Sequence, residues 1–393
     1  MHNYRVLTAV SALFFVGLGI SAPLMSLFLE ALGADYGQIS IILTSYVAVL
    51  ILSNFAWGRI ADRLGRRKPL IIVGLFGLAV AYLWLSRSTT ANIAWGIRIL
   101  EGIGVAAYTT LSLAMMGDIL QDGANRGRRM GIYRGLGSLA FSMGALMGGR
   151  IADNFGLDTA FAVCAGLYFA AMLVTFLLQE VPMAKPVAPA GATGSPPVRR
   201  KRELPALFLA GVVLWMAAHS ASTSMWPNYM ATFGYTKTTI TSLWGLAAFI
   251  EMPAMYLSGA LSDVFGRAAL LASGGFAIAL VQIGYMTVVT LLPALFVVQT
   301  VRGWGFGSYT ANAMTFTAEQ GDHQSRGGNS GLFQATGSVG QLVGIFIGGQ
   351  LAKYMGFSAL YTVCAFLALG SGICFLALRR QTARAVAAGS AAD

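Results

Sequence analysis

Residues 58–66 read GRIADRLGR, and residues 259–267 read GALSDVFGR, 201 positions further along the chain. The same register relates other parts of the sequence, and after the loss of one residue it continues at an offset of 200. So many matches in one register indicate that the chain contains two copies of one unit in the same orientation. Further matched pairs are Gly102 with Gly303, Tyr108 with Tyr309, Asp118 with Glu319, Gly144 with Gly344, and Gly149 with Gly349.

The composition predicts that this unit lies in a membrane. Of the 393 residues, 56% are hydrophobic and 10% are charged, whereas about 25% of residues in a soluble protein are charged. Twelve apolar runs are long enough to cross a bilayer as helices. We therefore expect an all-α polytopic membrane protein in which twelve transmembrane helices form two pseudo-symmetric six-helix bundles. The predicted spans are 6–30, 37–61, 69–87, 92–118, 129–153, 157–179, 205–232, 238–262, 268–289, 291–318, 327–352 and 357–379.

A proline-rich and basic stretch divides the two copies. It contains five prolines and ends in Arg199-Arg200-Lys201-Arg202, and no helix tolerates that density of proline. We predict an N-terminal bundle at 1–180, a cytoplasmic linker at 181–204, a C-terminal bundle at 205–380 and a cytoplasmic tail at 381–393. The first apolar run is longer than the core of a signal peptide, so it is expected to be a retained helix.

The positions of lysine and arginine predict the orientation. Four of the 26 fall in loops on one side, and two lie within spans. The others lie on the opposite side, which the positive-inside rule assigns to the cytoplasm together with both termini. We expect a multi-pass protein of a prokaryotic inner membrane. The four loop residues are Arg87, Arg150, Lys237 and Lys353, and the two within spans are Arg98 and Arg302.

Several other functions are disfavoured by the sequence. The net charge of +11 is spread between apolar runs, and no soluble domain remains to bind nucleic acid. There is no P-loop, zinc-ligand cluster or hydrolase elbow. We therefore expect no nucleic-acid partner, no cofactor, no metal ion, no catalytic residues and no enzymatic activity.

The repeated segment resembles the loop signature that follows the second helix in the major facilitator superfamily. Its second copy follows the eighth predicted helix, where that family carries a degenerate copy. The resemblance implies alternating access, with a cytoplasmic gate that latches the two halves together. An alternative is a solvated turn whose charges only set the topology. The gate residues implied by the resemblance are Gly58, Asp62, Gly65, Arg66, Asp118, Arg126, Asp263 and Arg267.

Five ionisable residues within predicted spans are candidate binding residues for protons or substrate. Arg98 and Glu101 share one face of helix 4, in a segment resembling an arginine motif implicated in proton coupling in drug–proton antiporters. Glu251 is a lone carboxyl in helix 8, and Arg302 occupies the repeat position of Glu101. Charges at this depth normally face a cavity or a partner. We expect these four residues and His219 to bind protons or substrate. Static ion pairs and a packing histidine are the alternatives, and a pair between Glu251 and Arg302 stays open.

Aromatic and amide residues lie on the helices that line the cavity in this family, and they suit an amphipathic or sugar-like solute. The segment 144–149 resembles the antiporter motif of drug exporters, but Ala145 stands where that motif has proline. Helix packing through small residues is the alternative for that segment. The predicted cavity-lining residues are Tyr108, Trp215, Trp226, Trp244, Tyr309, Asn312, Asn329, Phe333 and Gln334.

These features together predict a secondary transporter that exports a small amphipathic compound or drug in exchange for protons. Its expected partners are a small-molecule substrate, protons and the lipid bilayer, and it is expected to be a monomer. A sugar or metabolite porter, working by symport or uniport, is the nearest alternative. A membrane sensor that kept the fold without transporting is an alternative of another class.

Overall fold

The computed structural model is all-α over the residues that it describes. These are 2–121, 126–180, 204–320 and 326–390, without the side chains of 126–127, 326–327 and 382–390. The predicted linker 181–204 therefore lies outside the described residues, except for Leu204. The helices are α1 His2–Ser21, α2 Met25–Ala31, α3 Tyr36–Leu64, α4 Lys68–Leu85, α5 Ala91–Ile119, α6 Arg126–Phe155, α7 Leu157–Thr175, α8 Ala206–Thr232, α9 Lys237–Phe265, α10 Arg267–Thr287, α11 Leu292–Glu319, α12 Arg326–Tyr354 and α13 Gly356–Ser390.

The first predicted span, 6–30, is not one continuous helix. It consists of α1 and the seven-residue α2, and residues 22–24 between them form a turn. Pro23 explains the break, because proline lacks an N–H and its ring clashes with the preceding helical turn. In contrast, Pro227 and Pro253 lie inside α8 and α9 without ending them.

The remaining predicted spans correspond to the eleven helices α3 to α13. Ten helices in the described part are long and apolar enough to cross a membrane. The long helices α6 and α11 fall outside this group, because α6 begins with several arginines and α11 carries Arg302 and amide side chains. With α1 and α2 counted as one crossing, the helices of the described residues make twelve crossings.

The helices form two bundles that repeat the same packing. In the first bundle, α1 packs on α6 and α7, while α5 packs on α3 and α4. In the second, α8 packs on α12 and α13, while α11 packs on α9 and α10. The two bundles meet mainly where α6 contacts α9 and where α3 contacts α12, with a smaller contact between α2 and α8.

Glycines bring the backbones of neighbouring helices close together within each bundle. A Cβ on Gly144 would collide with the backbone of Val16 on α1, and a Cβ on Gly344 would collide with the backbone of Ala217 on α8. Small residues permit this approach in membrane helices. Gly144 therefore packs α6 closely on α1, as the packing interpretation of residues 144–149 expects.

The ends of the helices define two sides of the molecule. The motif side carries the turns at 65–67 and at 266, next to the two repeated segments. Gly65 caps α3 with φ 64°, a left-handed conformation that glycine adopts without strain. The far side carries the turns at 32–35, 86–90, 156, 233–236, 288–291 and 355.

Candidate functional site

A cavity of about 170 Å³ lies between the two bundles. Both halves contribute to its wall, and hydroxyl, amide and aromatic side chains alternate with apolar ones. Among its lining residues in the described part of the chain, Arg98 is the one charged side chain. The lining residues are Ala22, Met25, Ser26, Leu43, Tyr46, Val47, Arg98, Ser220, Thr223, Ser224, Pro227, Trp244, Gln341 and Ile345.

A buried ion pair forms the N-terminal wall of this central cavity. Arg98 Nη1 donates to Glu101 Oε2 at 2.5 Å, and both side chains are buried. The Tyr82 hydroxyl donates to Glu101 Oε1 at 2.7 Å, and the Arg98 guanidinium lies 3.8 Å from the centre of the Tyr46 ring. Glu101 therefore neutralises Arg98, while two tyrosines fix the pair in position.

The equivalent position in the C-terminal half holds a cation beside a neutral amide. Arg302 is 4% exposed, and its Nη1 donates to Gln299 Oε1 at 3.1 Å. Gln299 in turn donates to the Tyr285 hydroxyl at 3.2 Å. The Arg302 guanidinium lies 4.6 Å from the Trp244 ring centre and 6.0 Å from that of Trp226. Trp244 therefore connects Arg302 to the cavity wall.

Glu251 and His219 are half-buried in the same half of the molecule. No oxygen of Glu251 comes within 4.0 Å of the Arg302 guanidinium, so they form no ion pair in this conformation. The His219 ring stacks on Trp215 at 4.8 Å and lies 5.2 Å from Phe306. The structure therefore brings Arg98 and Glu101 into direct contact and leaves Glu251 apart.

The predicted cavity-lining residues divide between the cavity and the bundle interiors. Trp244 lines the central cavity. Tyr108 instead stacks on Phe14 at 4.0 Å inside the N-terminal bundle, and Trp215 stacks on Tyr309 at 3.8 Å inside the C-terminal bundle. Of the others, Trp226, Asn312 and Asn329 are buried, Phe333 is half-buried against Phe208, and Gln334 is exposed.

Several residues at the cavity were missed by sequence reasoning. Tyr46 and Tyr82 lie on α3 and α4, which hydropathy alone describes as uniformly apolar. A signal did exist on α8, where residues 219–224 read HSASTS in the middle of a spanning helix. Ser220, Thr223 and Ser224 from this run line the cavity. A polar run at this depth indicates a water-accessible face.

The motif side carries an ion cluster within each half. Arg67 pairs with Asp118, whereas the predicted gate residues Asp62 and Arg66 are exposed. No neighbour approaches within 4 Å of a Cβ built on Gly58. The side chain of the predicted gate residue Arg126 lies outside the described residues. In this conformation the first copy of the motif uses Arg67, one position beyond the arginine that was predicted.

The second copy of the motif forms the matching cluster in the C-terminal half. Arg267 Nη2 lies 2.8 Å from Asp263 Oδ1 and 3.2 Å from Glu319 Oε1. Arg267 also contacts Ser262 and donates to the Gly259 carbonyl at 3.3 Å. Asp118 and Glu319 are repeat equivalents, so both clusters tie the motif turn to the end of the fourth crossing in their own half.

The far side is closed by direct contacts between the halves. Asp153 at the end of α6 accepts hydrogen bonds from the backbone N–H groups of Lys237 and Thr238, at 3.2 and 2.7 Å. On the opposite edge, Lys353 at the end of α12 lies 3.1 Å from Asp35. The backbone N–H of Gln38 and the Lys353 ammonium together lower the pKa of Asp35.

Three further bonds cross between the halves nearer to the cavity. Ser142 donates to the Gly245 carbonyl at 2.8 Å. Asn228, which is fully buried, donates to the Ser26 carbonyl at 3.1 Å and to Glu30 Oε2 at 2.6 Å. The central cavity is therefore sealed from the far side.

The described residues hold no group of three His, Cys, Asp or Glu side chains that is arranged to bind a metal ion. Cys164 and Cys364 are buried and Cys374 is half-buried, and all three are free thiols. The side chains that line the central cavity offer hydrogen-bonding groups, aromatic faces and one cation.

Two repeated six-crossing bundles around a central cavity that is sealed on one side define a class of membrane transporter. The family model of the Major Facilitator Superfamily matches residues 7–293 and 283–392. The chain therefore belongs to the major facilitator superfamily, and the fold class predicted from the sequence is confirmed.

Relatives and solved structures extend this result over the whole length of the chain. A Deinococcus radiodurans protein named as a sugar efflux transporter is 25% identical over 385 residues, which cover 95% of this chain and 97% of the relative. The multidrug resistance protein MdtG of Dickeya zeae is 25% identical over 94% of this chain and 93% of its own length.

Among solved structures, the nucleoside transporter NupG aligns over 96% of this chain and 99% of its own, with a TM-score of 0.77 at 16% identity. A bacterial homologue of the human lysosomal transporter Spinster, solved in an inward-facing and unoccupied conformation, aligns over 95% of this chain and 94% of its own. Its TM-score is 0.70 at 15% identity. These likenesses describe the fold.

Proposed function

We propose that this transporter exports a small amphipathic solute in exchange for protons. The observation that carries the proposal is the set of ionisable side chains at the depth of the central cavity, with Glu101 in one half and Glu251 in the other. An ionisable group in a spanning helix costs at least about 2.5–3.5 kcal/mol at the bilayer centre. A structural role is evident for the paired Glu101, whereas Glu251 has no ion-pair partner within 4.0 Å.

Glu251 is therefore the proposed proton carrier. A carboxyl in a spanning helix that lacks a fixed cation is free to bind and release a proton as the halves rock. The Arg98–Glu101 pair has a fixed hydrogen-bond network, and its proposed role is to hold the N-terminal wall. His219 takes part in an aromatic stack, and its proposed role is to shape that stack beside the cavity.

The proposed orientation places the motif side in the cytoplasm, as the distribution of lysine and arginine predicts. With the far side closed, the described conformation would then face inward. The membrane of a prokaryotic cell, the monomeric state and the cytoplasmic position of both termini belong to the same proposal. Latching of the halves by the motif clusters is proposed for the opposite, outward-facing state.

A proteoliposome assay tests the coupling. Purified protein is reconstituted, and efflux of a fluorescent amphipathic dye is followed after a pH jump that makes the trans side acidic. We expect dye flux to follow the proton gradient, and we expect Glu251→Gln to remove this dependence because glutamine cannot carry a proton. Glu180→Gln, the same chemical change at an exposed carboxyl, is the matched control. Gradient-independent flux, or normal coupling in Glu251→Gln, would contradict the proposal.

A sugar or metabolite porter is the second candidate. It is favoured by the hydroxyl and amide groups of Ser26, Thr223, Ser224 and Gln341 on the cavity wall, since such groups suit a hydroxylated solute. The name of the Deinococcus radiodurans relative points the same way. Counterflow of radiolabelled monosaccharides in the same vesicles separates the candidates, because a sugar porter would exchange them and an amphipath exporter would not.

A further inference from the structure

Arg302 is a buried cation whose charge no acidic side chain meets at close range. It is 4% exposed, and its hydrogen bond goes to the neutral amide of Gln299. No carboxylate oxygen of the described residues lies within 4.0 Å of it. A buried charge without a counter-charge is strongly unfavourable, so such groups are normally paired.

The repeat equivalent in the other half shows what a paired site looks like. Arg98 and Glu101 occupy the positions that Gln299 and Arg302 occupy in the C-terminal half. Arg98 Nε and Arg302 Nε both lack an acceptor. However, the charge of Arg98 is met by Glu101 at 2.5 Å, whereas Arg302 has neutral partners, namely the Gln299 amide oxygen, the Tyr285 hydroxyl and aromatic faces. The duplication has therefore kept an ion pair in one half and left an arginine without an ion pair in the other.

Other titratable groups near Arg302 do not supply the missing negative charge at hydrogen-bond distance. Glu251 on α9 acts on Arg302 only electrostatically and across more than 4.0 Å. His219 on α8 can add positive charge but no negative charge. The Tyr285 hydroxyl on α10 accepts a hydrogen bond from Gln299. The hydrogen-bonding capacity of the Arg302 guanidinium therefore stays partly free.

The Arg302 side chain lies next to one residue of the cavity wall. The lining of the central cavity carries Arg98, already neutralised, and no acidic side chain among the described residues. Trp244 lines the cavity while the Arg302 guanidinium lies 4.6 Å from its ring centre. A charge acts much more strongly in an interior that excludes water than it does in water.

We propose that the transported solute carries an anionic group, a carboxylate or a similar oxyanion, and that Arg302 is the residue that selects it. This inference rests on the proposed transport function and adds the charge class of the solute. Arginine suits the role because its planar guanidinium binds oxyanions through parallel hydrogen bonds. Trp244 and Tyr46 supply aromatic faces for the apolar part of such a solute.

The test uses matched compounds that differ in charge alone. Phenylbutyrate, phenylbutanol and phenylbutylamine, together with the corresponding naphthyl and decyl series, are added to the purified protein, and binding is followed by Trp fluorescence and thermal stabilisation. We expect anionic members to bind more tightly than neutral and cationic ones. We expect Arg302→Gln to weaken anion binding roughly 10- to 100-fold, the loss of a charged hydrogen bond, and Arg302→Lys to restore part of the preference.

Two controls keep the result interpretable. Arg87→Gln removes an exposed arginine on the far side, and it should leave the anion preference unchanged. Arg302→Lys keeps a positive charge at this position, so it should keep part of the anion preference, and it provides the comparison where Arg302→Gln fails to fold. Tighter binding of cations, equal binding of all three charge types, absence of binding by every anion, or an unchanged anion preference in folded Arg302→Gln would overturn the proposal.

The same compounds in vesicles separate this inference from the proposed function. Proton-driven flux of neutral or cationic members, with anions excluded, would overturn the role of Arg302 and leave proton-coupled export standing. Anion binding that Arg302→Gln abolishes, without proton-dependent flux, would support the role of Arg302 and contradict the proposed coupling.

Discussion

The two sides of the molecule use charged residues in different ways. On the far side, charged and polar groups join one half to the other, as Asp153 does with residues 237–238 and Lys353 with Asp35. On the motif side, the Arg67–Asp118 and Arg267–Glu319 pairs stay within one half. The comparison shows that the far side holds the present conformation together, while the motif side leaves the halves free to separate.

The far-side contacts lie at two edges of the interface between the halves, where α6 meets α9 and where α12 meets α3. Asp153 and Lys353 are equivalent positions of the repeat, and so are Asp35 and Thr236. One edge thus places an acid on the sixth helix against the start of α9, and the other places a base on α12 against the start of α3. The equivalent helix ends thus carry opposite charges, Asp153 on α6 and Lys353 on α12, and each attracts a different group on the helix that faces it.

Substitution of Gly349 should have the largest effect on the far-side contacts between the halves. A Cβ at this position would lie 2.5 Å from the Tyr36 carbonyl oxygen and 2.6 Å from Ser40 Oγ across the interface between the halves. We expect Gly349→Val to disfavour the closed far side by about 1–3 kcal/mol, which is roughly a 5- to 150-fold shift in population. Spin labels at Thr159 and Leu291, which are exposed on the far side of different halves, should move apart.

Gly331 provides the matched control for that experiment. It lies on the same helix, is exposed, and has no neighbour within 4 Å of a Cβ built on it. Gly331→Val should therefore leave the far-side distance unchanged. An unchanged distance in Gly349→Val would show that the contact between α3 and α12 does not hold the far side closed.

The motif side should respond to Arg67 rather than to Arg66. Arg67 and Asp118 have side chains only 15% and 17% exposed, so Arg67→Gln leaves a largely buried carboxylate without its partner. We expect this change to lower the free energy of unfolding by roughly 1–2 kcal/mol, measured by denaturant titration in detergent. Arg66 is exposed, and Arg66→Gln should change the free energy of unfolding by less than about 0.5 kcal/mol. Equal effects of both substitutions would refute the assignment of the pair.

Asp35 should give the smallest effect, and one that depends on pH. The backbone N–H of Gln38 and Lys353 lower the pKa of Asp35 below its usual 3.8. The contribution of Asp35 to the stability of the closed far side is therefore complete above its usual pKa of 3.8, and it is lost as the pH falls through the lowered pKa. The contribution should be about 0.2–1 kcal/mol, because the pair is exposed and screened.

The corresponding measurement is the far-side spin-label distance between neutral pH and about pH 3. Asp35→Asn keeps a side chain that can cap α3 but removes the charge, so the acid-induced widening should shrink and the distance at neutral pH should increase slightly. Asp158→Asn, at another exposed far-side carboxyl, is the control. Identical acid responses in wild type and Asp35→Asn would assign the response to other groups.

Sequence reasoning predicted the fold because its determinants are local or repeated. Runs of apolar residues predict the crossings, and the matched segments 58–66 and 259–267 identify the duplication. The break at Pro23 was missed because proline is tolerated in many membrane helices, as at Pro227 and Pro253.

The candidate site was less predictable, because it depends on how each helix is rotated about its axis. Tyr108 and Tyr309 lie on helices that line the cavity in this family, but both are buried inside their bundles. An almost uniformly apolar helix gives little periodic signal for its buried face. The partners of Glu101 and Arg302, namely Tyr82 and Gln299, are contacts across or along helices that only the packing defines.

The interrupted first crossing has a mechanical consequence. α1 packs on α6 and α7, whereas α2 contacts α8 of the other half through Glu30 and Asn228. α2 also packs on its own half, where the Phe28 ring centre lies 4.6 Å from that of Phe161 on α7, and residues 22–24 join α2 to α1. When the halves part on the far side in the proposed transport cycle, this turn allows α2 to change its angle to α1. The far side can then open through a conformational change at residues 22–24, without displacement of a full-length helix.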